Sequence, residues 1–168
     1  DMMGEAFSLS ESLRLPVLVR MVTRLAHSRA AVTVGGSLRQ NVLNPDGDRS
    51  HWVLLPAIAR RQYASLVEKQ SIIAREAASS PFNRIESVES VGKKAAIGII
   101  ASGIGYNYFK ETAVKAPLLK ISQYPVPAGK VRELAAMCSS ILVVEDGQPF
   151  VEEQVRGILG PEYPVRGR

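Results

Sequence analysis

The chain has 168 residues, of which 46% are hydrophobic, and a formal net charge of +5, enough to bury one core of ordinary size. No apolar run reaches 18 residues, which argues against a membrane span. A pI near 9.6 raises nucleic acid as a partner, but no long Lys/Arg cluster appears and aromatics are not interleaved with the basic residues, so that class is set aside. The single cysteine, Cys138, allows neither an internal disulfide nor a metal cluster, and a reducing, cytoplasmic setting is expected.

Asp1, Glu5 and Glu11 stand where a signal peptide needs positive charge, and a chain that opens on Asp reads as part of a longer polypeptide. Ala6, Leu9 and Leu13 predict a helix over 5–14, stopped by Pro16. Val17 to Val22 reads as a strand interrupted only by Arg20. A helix–strand pair without neighbours cannot bury a sheet, so it reads as the remnant of another α/β domain. From Ser12 to Asn44 there are five arginines (14, 20, 24, 29 and 39) and no carboxylate. They either pair with acids elsewhere or, in the loop Thr23-Arg24-Leu25-Ala26-His27-Ser28-Arg29, face an anionic ligand or partner. Ligands of open α/β sheets bind at the carboxyl ends of strands, where this loop is expected.

Residues 35–55 read as a connection, with Gly35-Gly36 and then Asn44-Pro45-Asp46-Gly47-Asp48 as turn signals. Trp52 is expected to anchor it, and His51 beside it is expected to be structural. Pro56 opens a long helix whose stripe of Tyr63, Leu66, Val67, Ile73 and Ala77 predicts one apolar face. Ser79 to Asn83 closes that helix, and 85–94 alternates weakly, as a lead-in or an edge strand does.

Three strand–turn–helix units then follow, which implies a mostly parallel sheet with helices on both faces, a three-layer α/β fold. The first has an uncharged strand at 95–101, a turn at Ser102-Gly103-Ile104-Gly105, and a helix at 104–115 with Tyr108, Phe109, Thr112 and Ala113 on its apolar side. Ser102 is read as its cap. The second has a strand at 118–122 and a helix at 127–138 opened by Pro127, with Cys138 on its buried face. The third has a strand at 141–145 and a helix at 149–159 opened by Pro149, with Gly160 as a left-handed cap and a short final strand at 163–166.

The glycine turn at 102–105 presents free N–H groups to an anion, but it lacks the third glycine of a dinucleotide fingerprint, and Ser122 and Gln123 stand where its acid belongs. The phosphate loop of nucleotide hydrolases, the nucleophile elbow and the zinc-protease helix are absent. His27 beside Ser28 invites a catalytic dyad without a third member. Glu152 and Glu153 suit the first turn of their helix, whereas Glu145 ends a buried strand and is less easily explained. Glu145, Glu152 and Glu153 are therefore candidate interface residues.

Five blocks carry a resemblance: Thr23 to Arg29; His51-Trp52-Val53-Leu54-Leu55-Pro56; Ser80-Pro81-Phe82-Asn83-Arg84; Ser102-Gly103-Ile104-Gly105-Tyr106-Asn107-Tyr108; and Val144 to Gln154. In order and spacing they resemble the alpha subunit of the indolepyruvate ferredoxin oxidoreductases. That resemblance implies an enzyme that decarboxylates aryl pyruvates with thiamine diphosphate and magnesium. Electrons pass through iron–sulfur clusters to ferredoxin, the acyl group goes to coenzyme A, and a beta subunit is the partner. It implies that 1–34 end a pyrimidine-binding domain, that 35–94 form a linker with one long helix, and that 95–168 form a domain like the C-terminal domain of transketolase. The candidate anion contacts are Thr23, Arg24, His27, Ser28 and Arg29, and the candidate strand-end turn is Ser102, Gly103, Gly105, Tyr106 and Asn107. The family's metal-and-diphosphate motif is missing, and Asp46-Gly47-Asp48 lies in a linker rather than after a strand. One cysteine cannot hold an iron–sulfur cluster. No cofactor or metal is therefore expected in this stretch, which reads as a structural, interdomain piece of the enzyme, inactive alone. A non-enzymatic scaffold or interaction module, and the equivalent domain of a pyruvate or branched-chain keto-acid oxidoreductase, are the alternatives.

Overall fold

Short aliphatic runs separated by glycine and proline turns pair into a sheet wherever each run is long enough to be covered on both faces. In the computed structural model, described for residues 2–37, 40, 42, 47–86 and 94–168 without the Arg49 side chain, five strands do so. They are β1 (Arg84–Glu86), β2 (Gly98–Ser102), β3 (Leu118–Ile121), β4 (Ile141–Val144) and β5 (Val165–Arg166), in the order β1-β3-β2-β4-β5. β2 lies at the centre, parallel to β3 and β4; β5 is parallel to β4, and only β1 is antiparallel.

Alternation along β2 sends its residues to two cores. Ile99 and Ala101 join Leu118 on the face covered by α4 (Ile104–Glu111) through Tyr106 and Phe109. Ile100 joins Leu119, Ile121, Ile141 and Val143 on the opposite face, covered by α5 (Ala128–Met137) and α6 (Phe150–Leu159) through Val131, Leu134, Val151 and Val155. The three-layer arrangement is the expected one. Two close approaches require glycine. A Cβ on Gly98 would stand 2.6 Å from the Cys138 sulfur, and one on Gly105 would stand 2.7 Å from the Val144 carbonyl oxygen.

The chain divides into two units, Asp1–Val22 with Ser71–Arg168 and Thr23–Gln70. The first holds the sheet and begins with α1 (Met2–Leu13), which ends at Arg14 with φ at 50°. The second holds α2 (Thr23–Ala26), a 3-10 turn at Arg49–Trp52 and most of the long helix α3 (Pro56–Ser79), which runs on into the first.

Several expectations are corrected. Residues 17–22 form no strand: Val17 and Val19 are half-buried, Leu18 and Arg20 are exposed, and the segment joins no sheet among the described residues. The segment after it is not a strand-end loop, because Thr23–Ala26 form one helical turn. Trp52, expected to pack the connection down, is 79% exposed. The α3 stripe is not a buried face: Tyr63, Leu66 and Val67 are exposed and only Ala77 is buried. β2 begins at Gly98, while Ala95 makes a single bridge to Cys138. α4 ends at Glu111 because the Thr112 hydroxyl turns back onto the Phe109 carbonyl at 2.7 Å. Its inward side chains are Tyr106 and Phe109, while Tyr108 is exposed. Ser102 closes β2 and does not cap α4; the cap position is Gly103, with no side-chain bond. Pro127 and Pro149 stand one place before their helices, and Gly160 ends α6 with φ at 81°. The Asn44-Pro45-Asp46 turn, Arg39 and the lead-in at 87–93 lie outside the described residues.

Candidate functional site

The carboxyl ends of β2, β3 and β4 meet on one edge of the sheet, where parallel α/β folds place their ligands. β2 delivers Ser102 and Gly103. Gly103 has φ 54° and ψ −135°, a conformation that glycine adopts without strain and side-chain-bearing residues do not. The turn after β3 delivers Tyr124, followed by a cis Tyr124-Pro125 bond. The turn after β4 delivers Glu145, and the first residue of α6 is Phe150, whose ring meets Tyr124 edge-on at 5.4 Å and 67°. Burial pushes the Tyr124 phenol above its ordinary pKa and the charge of Glu145 adds to this, while the Ser102 hydroxyl and Arg20 pull the other way.

Glu145 acts as a cap. Its Oε2 accepts the Val151 N–H at 2.8 Å and its Oε1 accepts the Glu152 N–H at 3.0 Å. Both oxygens thus satisfy α6 amides that have no partner inside the helix, and the charge faces the positive end of the helix dipole. This explains the acid at the end of a buried strand. Its sequence signal is an acid six residues before the first amide it bonds, across a Gly-Gln-Pro turn.

The turn carrying Tyr124 is fixed by Asn83, a fully buried polar residue. Its side-chain amide donates to Ala77 O at 2.9 Å and Gln123 O at 2.7 Å. Its carbonyl accepts from Ser122 N at 2.8 Å and Gln123 N at 3.0 Å. The Lys130 ammonium bonds the Asn83 backbone carbonyl at 2.6 Å. The asparagine thereby ties the last turn of α3 to the β3–α5 turn. The sequence showed Ser79 to Asn83 as the end of a helix and Ser80 to Arg84 as a shared block, but not this clamp; an asparagine just after Ser-Pro-Phe was the available signal.

The other strand-end candidates go elsewhere. Tyr106 points to the β1 side, donates to Glu86 Oε1 at 2.8 Å and accepts from Arg84 at 3.0 Å. The Lys120 ammonium lies 4.5 Å from its ring centre. Burial raises the Glu86 pKa, but bonds from Lys110 and Tyr106 outweigh it and leave Glu86 below its ordinary range. Asn107 is exposed. Glu152 is not displayed for an interface: it is 5% exposed, accepts the Arg156 guanidinium at 2.7 Å and takes the Arg168 N–H at 2.8 Å. The hydrogen bond from Arg156, then that from Arg168, hold its carboxyl below the ordinary range. Glu153 is exposed.

In the second unit Thr23, Arg24, His27, Ser28 and Arg29 are all exposed around α2. The Ser28 hydroxyl donates to the Leu25 carbonyl at 2.8 Å, which argues against a His27–Ser28 dyad. Asp48 caps the 3-10 turn, accepting the Ser50 N–H at 2.9 Å, and stands 3.8 Å from His51. No group of three His, Cys, Asp or Glu side chains able to hold a metal occurs among the described residues. Both Glu145 oxygens are committed to α6 amides, and Asp48 is committed to its own turn. Cys138 is buried against Leu134 O and Tyr163. No helix among the described residues is long and apolar enough to cross a membrane.

No protein-family model matches the chain. Among curated proteins it is similar to indolepyruvate oxidoreductase subunit IorA of Methanothermobacter thermautotrophicus, 35% identical over 168 residues, covering 95% of this chain and 26% of that protein. The same subunit of Thermococcus kodakarensis is 34% identical over 185 residues, covering 100% and 28%. That of Archaeoglobus fulgidus is 34% identical over 164 residues, covering 90% and 25%. Among solved structures, a 2-oxoglutarate:ferredoxin oxidoreductase from Magnetococcus marinus overlaps 68% of this chain and 21% of its own, at 16% identity and a TM-score of 0.46. The chain spans about a quarter of the length of its curated relatives, and along nearly all of its own length it is homologous to that segment of indolepyruvate oxidoreductase subunit IorA.

Proposed function

We propose that the chain serves as the corresponding segment of an IorA-type subunit, in an enzyme that oxidatively decarboxylates aryl pyruvates such as indolepyruvate, with coenzyme A as acyl acceptor and ferredoxin as electron acceptor. The observation that carries this is the alignment with IorA over 90–100% of the chain. In this reading 1–34 end a pyrimidine-binding domain, 35–94 link it onward, and 95–168 are a transketolase-C-terminal-like domain. The strand-end turns are then held rigid by Asn83 and Glu145 rather than armed for chemistry. Thiamine diphosphate, magnesium and iron–sulfur clusters belong to the rest of the full-length, cytoplasmic enzyme, whose partner is a beta subunit. No step of the reaction is assigned to this chain.

The test is reduction of ferredoxin by the intact subunit paired with its beta subunit, with coenzyme A and indolepyruvate or pyruvate as substrate. Turnover of indolepyruvate at a kcat/KM well above that of pyruvate supports the reading. A preference for pyruvate, or no turnover of any keto acid, overturns it. Within this reading Arg24 or Arg29 approaches an anionic group, because the planar guanidinium binds a carboxylate through two hydrogen bonds. Arg24→Lys and Arg29→Lys in the intact enzyme keep the charge and lose that fork. A substrate contact lowers kcat/KM by tenfold or more, about 1.4 kcal/mol. A structural pair lowers the Tm and spares the kinetics, and wild-type behaviour of both variants in both assays removes the role.

A further inference from the structure

The unit Thr23–Gln70 is built in reverse of a self-sufficient one. None of its described residues is buried. Its backbone is nevertheless fixed by polar bonds: Asp48 caps the 3-10 turn, Gln62 of α3 donates to His51 O at 2.9 Å, and Arg61 donates to the Ser50 hydroxyl at 3.1 Å. Ser50 and His51, just before the run from Trp52 to Leu55, are thereby tied to the second turn of α3, and the large side chains of that run are exposed. Trp52 is 79% and Leu54 85% exposed, and Leu55, Tyr63, Leu66 and Val67 are exposed as well. Exposed apolar strips of this kind mark contact surfaces, and polar pre-organisation lowers the entropic cost of docking.

We infer that the strip formed by Trp52, Leu54, Leu55, Tyr63 and Val67 is a docking surface for a neighbouring domain of the same IorA-type subunit, into an apolar groove with a carboxylate rim. The rim follows from the strip's own charge, since Arg60 and Arg61 stand in the second turn of α3 beside it. The source follows from length: the matched segment makes up 25–28% of the relatives, so most of such a subunit lies outside it. The inference rests on the proposed function for the identity of the subunit, not for its substrate.

The test compares the 168-residue chain with the intact subunit, each carrying Leu54→Cys. Position 54 is labelled with a maleimide, and the labelling is timed by mass spectrometry of the peptide. Labelling fast in the chain and at least tenfold slower in the subunit supports docking. Adding Tyr63→Ser and Val67→Ser, both at exposed positions, should restore fast labelling in the subunit without changing its helix content. Equal rates in chain and subunit overturn the inference. So does protection already present in the chain alone, which means a second copy covers the strip if it depends on concentration, and the chain itself if it does not. An active subunit with an unprotected position 54 overturns docking alone. A protected one that ignores indolepyruvate overturns only the substrate reading.

Discussion

Replacement of Asn83 is the perturbation with the clearest expected magnitude. Its side chain makes four hydrogen bonds, two as donor and two as acceptor, in a fully buried position. Each such bond contributes roughly 1 kcal/mol net, and a buried group left unpaired costs about 1–3 kcal/mol. Ser122 and Gln123 are only half-buried, so water reaches part of what Asn83→Ala leaves open. The expected loss is therefore about 3–5 kcal/mol, a large share of the roughly 5–15 kcal/mol typical of a domain. Urea unfolding followed by far-UV circular dichroism reads it as a lower midpoint at constant slope. Asn83→Asp separates hydrogen bonding from volume. The carboxylate keeps both acceptor bonds but faces the Ala77 and Gln123 carbonyl oxygens, so only its protonated form can donate to one of them. Its folded pKa is then raised above the unfolded value of about 3.9, and the variant loses stability as pH rises from that value through the folded pKa. A loss below about 1 kcal/mol for Asn83→Ala, or an Asp variant more stable at pH 7 than at pH 5, would refute the clamp.

Gly103→Val places a β-branched residue at φ 54° and should cost roughly 1–3 kcal/mol through backbone strain; an unchanged Tm would show that the turn relaxes freely. Glu145→Gln keeps one acceptor for two α6 amides and removes the charge at the helix N-terminus, an expected loss of about 1–2 kcal/mol that partly fades in high salt. Equal urea midpoints at low salt would remove the cap. Glu152 has its folded pKa depressed by Arg156, so its contribution is present above the ordinary glutamate pKa and is lost as pH falls through the lower folded value. Glu152→Gln should therefore flatten the acid limb of the stability curve, and a variant with the wild-type acid limb contradicts this assignment.

What the residues determined by themselves is the alternation of strands and helices from 98 to 166. Short, mostly aliphatic runs must be covered on both faces, and glycine and proline turns punctuate them at the lengths a parallel sheet needs. The glycine turn at 102–105 and the glycine closing α6 were legible for the same local reason. The five shared blocks made the family legible as well, although not what each block does.

Only the tertiary structure decided the rest. Ser80 to Arg84 becomes a clamp and a surface network because Asn83 meets a turn some forty residues later, a distance no local pattern encodes. Glu145 is a cap because the turn after β4 folds it back onto α6, whereas a strand-end acid reads equally well as a ligand. Val17 to Val22 has the composition of a strand, but a strand exists only when another chain segment accepts its hydrogen bonds, and among the described residues none does. The α3 stripe has the period of a buried face, and period states only that a helix has an apolar side. Whether that side is covered depends on a surface the periodicity does not contain.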